Sequence, residues 1–276
     1  MGFPLPPELI DIVLEFIIAE KINVPPSVTQ NTNLAQYATI NRNWQAIIER
    51  RTFSTININT NKRLAEFTQF PWDQLSWSQR RSHIRKINLI VELESFDAEA
   101  RVRYETEEEN QRNSKVFTAS IQSLFNTLSE WPVTEAGISL LIRAESPSDL
   151  RVHLRVHLRI HGREIKKHPG WDLEFEHLWA KRLERSYLQF NEEAVGAQCR
   201  AVPIITSLDI LGADEVGWEQ IGYRKIEPAS SCLIASKLPR LHDLRLELND
   251  IGKWDPQARE RRRNGMPDTD PRKMPE

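Results

Sequence analysis

The chain has 276 residues, 39% of them apolar and 28% charged, which suits one large domain or a small module joined to a larger one. With 37 basic against 39 acidic side chains and a net charge of -2, it lacks the basic excess of a dedicated nucleic-acid binder. Its two cysteines, Cys199 and Cys232, fit no CxxC pair or zinc spacing and read as reduced core thiols of a cytoplasmic or nuclear protein.

The chain opens MGFPLPPELIDIVLEFIIAEK, an apolar run broken by Glu8, Asp11 and Glu15. It has neither the basic leader and cleavage site of a signal peptide nor the ~18 uninterrupted apolar residues of a membrane span, so no membrane association is expected. A helix is predicted over 5–18. Pro6 and Pro7 suit its first turn, where no backbone donor is needed, and Glu8 and Asp11 sit near the positive end of its dipole. Leu9, Ile10, Val13, Leu14, Ile17 and Ile18 cover so wide an apolar face that the helix is expected to be buried on both sides. After a polar, proline-bearing loop at 23–33 comes a second helix with Leu34, Tyr37, Ala38, Trp44, Ile47 and Ile48 on its apolar side. The run TINRN at 39–43 is expected to divide it.

From Phe53 the texture changes to short apolar strands in the frame L-x-x-L-x-L of leucine-rich repeats. Phe53, Ile56 and Ile58 fit it, with Asn61 at the asparagine position; so do Ile84, Ile87 and Leu89, then Ile205, Leu208 and Ile210. Leu241, Leu244, Leu246 and Asn249 give the cleanest copy, and weaker ones centre on Ile138 with Leu140 and on Leu188 with Phe190. The uneven intervals imply a degenerate solenoid. Helices are predicted between the strands: one at 114–131, with Ser114 as N-cap and Phe117, Ile121, Leu124, Phe125, Leu128 and Trp131 at helical spacing, and one opened by Pro228 that stacks Cys232, Leu233 and Leu238. Trp72 and Trp77 are expected to seal the first repeat. Residues 94–113, acidic and ending YETEEENQRN, read as an exposed loop, 145–180 as a less regular insertion, and 252–276 as a charged, disordered tail that does not resemble a solenoid cap.

The N-terminal segment resembles the F-box, in the version found in many fungal F-box proteins. The resemblance rests on Leu5-Pro6-Pro7-Glu8-Leu9-Ile10, on Val13-Leu14 and Ile17, and on Leu34-Ala35-Gln36-Tyr37-Ala38 leading into Ile40-Asn41-Arg42-Asn43-Trp44, with Asn41 in place of the family's cysteine. Thr52-Phe53-x-x-Ile56 follows where that group starts its first strand, and SPSD at 146–149, RSYLQF at 185–190, VPIITSLDI at 202–210 and PASSCLIASKLPRL at 228–241 extend the likeness in order. It implies an α/β chain: a helical F-box module (1–50), then an irregular leucine-rich-repeat-like solenoid with insertions (51–251) and the tail (252–276). It also implies a substrate-recognition subunit of a cullin–RING (SCF-type) ubiquitin ligase. The module would bind a Skp-family adaptor and the repeats an unknown protein substrate. The adaptor contact would fall on Leu5, Pro6, Glu8, Leu9, Ile10, Val13, Leu14 and Trp44, so that Leu9→Asp or Leu14→Asp abolishes it. Ile17, Tyr37 and Ile47 are assigned to the module's core, and Trp44 suits core or interface equally. The alternative is a scaffold of the same architecture that works outside a ligase.

RVHLRVHLRIHG at 151–162 alternates with period two and reads as a charged-faced strand. His153, His157 and His161 then lie on one face, about 13 Å apart per four residues, too far to converge on a metal ion. A basic ridge for an acidic substrate and a strand protected from edge pairing by its charges are the two readings of that face. ARERRRN at 258–264 reads as solvated tail, with a nuclear-targeting or phosphate-binding role as the rival. No GxGxxG, phosphate loop, GxSxG or HExxH motif occurs, so neither a cofactor nor catalysis is expected.

Overall fold

The computed structural model describes residues 6–22, 34–101, 103–148, 182, 186–196, 198–210 and 224–246. Leu5, Asn249, the loop at 23–33, the alternating run with His153, His157 and His161, and the stretch 252–276 lie outside the described residues.

Two helices and a short 3-10 turn form the first unit. α1 (Pro7–Ile22) begins where the Pro6 carbonyl accepts from the Leu9 and Ile10 amides, and it runs one turn beyond the expected end. A 3-10 helix (Leu34–Thr39) precedes α2 (Arg42–Thr52), so the apolar stretch is divided at TINRN as expected. The break is built by Asn41, whose side-chain oxygen accepts from the Asn43 and Trp44 amides at 2.9 and 3.1 Å and caps α2. Asparagine therefore has local work to do where the F-box pattern shows cysteine. Ile10, Leu14, Trp44, Ile47 and Ile48 pack as this unit's core, with Ile17, Leu34, Tyr37 and Ala38 against them.

Beyond it the chain is a mixed helix and parallel-sheet structure. β1 (Thr55–Ile58), β2 (Lys86–Glu92), β3 (Ile138–Glu145), β5 (Ile205–Ile210) and β7 (Asp243–Leu246) form one five-stranded parallel sheet, each beside its predecessor in the chain. Parallel neighbours need crossovers. These contain α3 (Asn61–Gln69) and α4 (Leu75–His83), then α5 (Ala98–Arg101) and α6 (Glu107–Ser129), and last α7 (Pro228–Ser236). Period-two burial follows: Ile87, Leu89, Val91, Leu140, Ile142, Ala144, Leu208 and Ile210 enter the core, where Phe117, Ile121, Leu124, Phe125 and Leu128 of α6 meet them. The crossovers differ in length and helix content, so the described elements do not form a regular coil.

The weak copy at Ile138 and Leu140 does form a strand as expected, and it is the sheet's middle one. Several expectations are corrected. The copy at Leu188 leaves the large sheet: β4 (Tyr187–Leu188) pairs with β6 (Lys225–Ile226) in a small parallel sheet of its own. The acidic stretch 94–113 is not one exposed loop. It holds α5 and the first turns of α6, whose N-cap is Thr106 rather than Ser114. Thr106 accepts from the Glu109 amide and the Glu109 carboxylate accepts from the Thr106 amide, a capping box. Ser114 instead lies buried within α6, its hydroxyl accepting from the Gln189 amide. On α7, Cys232 and Leu233 are exposed while Ser230, Ser231 and Ile234 are buried, so only Cys199 is a core thiol.

The tryptophan expectation divides. Trp72 is buried against Phe67, Phe70 and Trp131, its indole N–H donating to the Phe67 carbonyl at 2.9 Å. Trp77 is half-buried, edge-on to Phe53 and Phe70.

Candidate functional site

α1 is apolar on two sides, and the structure uses only one of them. Ile10 and Leu14 are fully buried, and Ile17 packs beside them, at spacing i, i+4, i+7. Leu9, Ile12, Val13 and Phe16 remain 46%, 50%, 38% and 72% exposed, at spacing i, i+3, i+4, i+7. With 100° per residue the two stripes are centred about 120° apart. The expectation of burial on both sides is thus overturned: a second stripe faces outward in the pattern of an amphipathic helix that docks into a groove.

The polar side of α1 fixes this presentation. Asp11 pairs with Arg50 at 3.2 Å and with Arg51 at 2.9 Å, and Glu15 pairs with Arg51 at 2.9 Å. Partly exposed pairs of this kind add little stability. They do hold α1 against the end of α2, which leaves the apolar stripe clear of both.

The predicted contact residues separate accordingly. Pro6, Glu8, Leu9 and Val13 are exposed on α1 or at its start. Ile10, Leu14 and Trp44 are core, the last tilted against the Tyr37 ring at 6.3 Å. They build the module and have no surface to give a partner, so Leu14→Asp would report on folding rather than docking. Sequence reasoning missed Ile12 and Phe16, although their offsets of three and seven from Leu9 carried the signal.

The module is tied to the sheet through α4. Arg80 donates to Glu49 at 2.8 Å and its guanidinium lies 4.3 Å from the Trp77 ring centroid and 5.4 Å from that of Phe53. The hydrogen bond from Arg80 holds the Glu49 carboxyl below its usual range against the opposing effect of burial. Beside it His83 is held below the usual imidazole range, first by burial and then by the Arg85 charge, so it stays neutral at pH 7.

The sheet face away from the helices is exposed at its two outer strands and half-buried between them. Register aligns Thr55, Lys86, Ser139, Ser207 and Asp243 in one row and Asn57, Asn88, Leu141, Asp209 and Arg245 in the next. Asn88 donates to Asn57 at 2.7 Å and Ser207 to Asp243 at 3.1 Å. Apart from the buried Leu141, these rows are polar and mixed in charge. A cavity of about 70 Å³ between α4 and the starts of β2 and β3, floored by Ile84, Ile138 and Ile204, is far smaller than the ~300–1,000 Å³ of small-molecule sites. Among the described residues no group of three or more His, Cys, Asp and Glu side chains is arranged to hold a metal ion, and no helix is long and apolar enough to cross a membrane.

No family model, curated protein or solved structure matches this chain.

Proposed function

We propose that the chain is an F-box-type substrate receptor of a cullin–RING ubiquitin ligase, acting in the cytoplasm or nucleus. The observation that carries the reading is the outward stripe Leu9, Ile12, Val13 and Phe16, which lies on the helix that bears the F-box-like motif. A helix with one apolar side in its own core and another in solvent needs a partner to cover the second. A Skp-family adaptor, which offers helices to such a module, is the partner the resemblance supplies. Beyond the module, the chain-ordered parallel strands serve as an irregular leucine-rich-repeat-like body. Their polar outer face is the surface for a protein substrate, with Lys86, Asp209 and Arg245 among its charged contacts.

The test is capture of the full chain on an immobilised Skp-family adaptor. Phe16→Asp and Val13→Asp should each remove capture while circular dichroism and melting temperature stay near wild type. Retention of both variants, or a folded wild-type chain that the adaptor does not hold, defeats the reading. The unequal crossovers favour a rival: a scaffold of the same build outside any ligase. It predicts that a bound partner gains no ubiquitin when the chain is supplied with adaptor, cullin, RING subunit and conjugating enzyme. Ubiquitin transfer that Phe16→Asp abolishes would exclude it.

A further inference from the structure

The cavity beside α4 is too small for a whole small molecule, but it is sized for the end of a chain. Its walls are α4 and the segment 132–134 that leads toward β3. Ile84, Ile138 and Ile204 close its bottom, where the Ile138 amide donates to the Ile204 carbonyl at 2.9 Å. At ~10–15 Å³ per water, its volume of about 70 Å³ holds about five waters, or one branched aliphatic side chain in their place.

The polar lining is of two kinds. Arg81 gives an N–H to Asp73 at 2.9 Å, and one terminal nitrogen of Arg85 donates to the Ser82 and Ile84 carbonyls at 2.7 and 2.9 Å. A guanidinium has five N–H donors, so both arginines keep unused ones. Ser78 and Ser82 are the reverse case. Their protons go to the Leu75 and Gln79 carbonyls at 2.8 and 2.6 Å, which leaves oxygen lone pairs to accept from a ligand. Arg240 donates to the Thr134 carbonyl at 3.0 Å and brings a third positive charge to the far wall. Against these three cations stand two exposed acids, Asp73 and Glu135, so the balance favours an anion.

The mouth continues as an apolar strip. Leu75 is 91% exposed and Val133 52%. Leu75, Ser78 and Ser82 fall at i, i+3 and i+7 on one face of α4, and Val133 stands between Pro132 and Thr134 of the opposite wall.

We propose that this pocket receives the carboxyl-terminal residue of a bound protein. A leucine-sized side chain rests on the isoleucine floor and its α-carboxylate meets Arg81 and Arg85. Its amide N–H donates to a serine oxygen, and the residues before it lie along Leu75 and Val133. An internal side chain offers apolar bulk or charge, whereas a chain end offers both on one carbon. A bare oxyanion would sit on a floor that cannot solvate it. Capture of a terminal carboxylate is a known mode of peptide recognition. The proposal rests on the reading of the chain as a receptor for protein substrates.

Fluorescence anisotropy tests it, with a fluorescein-labelled octapeptide ending in leucine titrated with the full chain and no ligase subunit. The free-acid peptide should bind saturably. The same peptide amidated at its end, or ending in glycine, should bind at least about tenfold more weakly. Ser78→Phe, which fills the cavity, and Arg85→Gln should each cost at least as much, with melting temperature checked for both. Leu75→Ser, at a position too exposed to disturb folding, should weaken binding about three- to tenfold. Phe16→Asp should bind the peptide like wild type, so peptide binding and adaptor capture fail separately. Equal binding of the amidated peptide, no saturation by wild type, or unchanged binding by folded Ser78→Phe would overturn the proposal. So would displacement by isovalerate as effective as that by unlabelled peptide, which would assign the pocket to a free small acid.

Discussion

At the scale of single residues, position 137 admits only glycine. Gly137 holds φ +61 in the turn before β3, a conformation that L side chains rarely adopt, and an added Cβ would lie 2.2 Å from the Thr206 hydroxyl oxygen. Gly137→Ala should cost about 2–4 kcal/mol in urea unfolding, as backbone strain and overpacking act together. Adding Thr206→Ala should return only part of that, since it removes the two nearest atoms but leaves the Cβ of residue 206 at 2.8 Å and the φ unchanged. The cysteines make a second residue-scale case. Burial, helped by the Glu192 carboxylate, pushes the Cys199 thiol up to about 11, whereas Cys232 is exposed. A thiol reagent at neutral pH should add one label per folded chain, at Cys232, and two only after denaturation; mass spectrometry reads the difference.

At the scale of elements, the start of α6 shows what the sequence offered and what was overlooked. The spacing of Phe117, Ile121, Leu124 and Leu128 revealed the helix because its core face is apolar. Its first turns carry Glu107, Glu108 and Glu109, which read as loop because nothing apolar repeats there. The legible clue was Thr106-x-x-Glu109, which satisfies two end amides reciprocally. Glu109 also binds Arg103 at 2.7 Å. That hydrogen bond leads in lowering its carboxyl to about 2 from an ordinary 4.5, with the Thr106 amide and Arg182 adding to it against burial. A carboxyl with a depressed folded value stabilises the fold fully above its unfolded value and loses that contribution as pH falls toward the folded one. Glu109 therefore supports α6 at pH 5 and above and fails between about pH 4.5 and 2. Glu109→Gln should lower stability by about 1–2 kcal/mol at pH 7. It should also flatten the acid limb of a melting-temperature profile across that window.

The strands were legible for the same reason as the helix core: alternation marks one buried face, and the frames at Ile56, Ile87, Leu140 and Leu208 all became neighbours in the large sheet. The two faces of α1 were half legible. Its apolar width was plain, but which stripe would be covered depends on where α2 sits, and that follows from Asp11 and Arg51, 40 residues apart.

At the scale of the whole molecule, the acidic segment shows why local reading failed. Glu105 is not solvated; its carboxylate accepts from Asn113 at 2.7 Å, from Asn110 at 3.3 Å, from the Ser186 hydroxyl and from Arg224 at 3.2 Å, a residue 119 positions away. Arg182 lies 4.0 Å from it, reaches Glu109 at 3.3 Å and the Ala100 carbonyl at 2.8 Å, and stacks 4.3 Å from the centroid of Phe96. No spacing rule connects these residues, so the charges looked like surface. Together they clamp the small sheet to the start of α6, where Asn110 also donates to the Tyr187 carbonyl. Removing the acid should deprive the buried Arg224 and Arg182 guanidiniums of the Glu105 carboxylate, and breaking a buried pair typically costs about 3–5 kcal/mol. Glu105→Ala should therefore destabilise more than Glu109→Gln. The loss should also be uneven: hydrogen exchange at β4 and β6 should accelerate before that at β2 and β3, because the clamp acts on the small sheet while the large one keeps its apolar core. Uniform acceleration across both sheets would mean that the network secures the fold as a whole and not this junction.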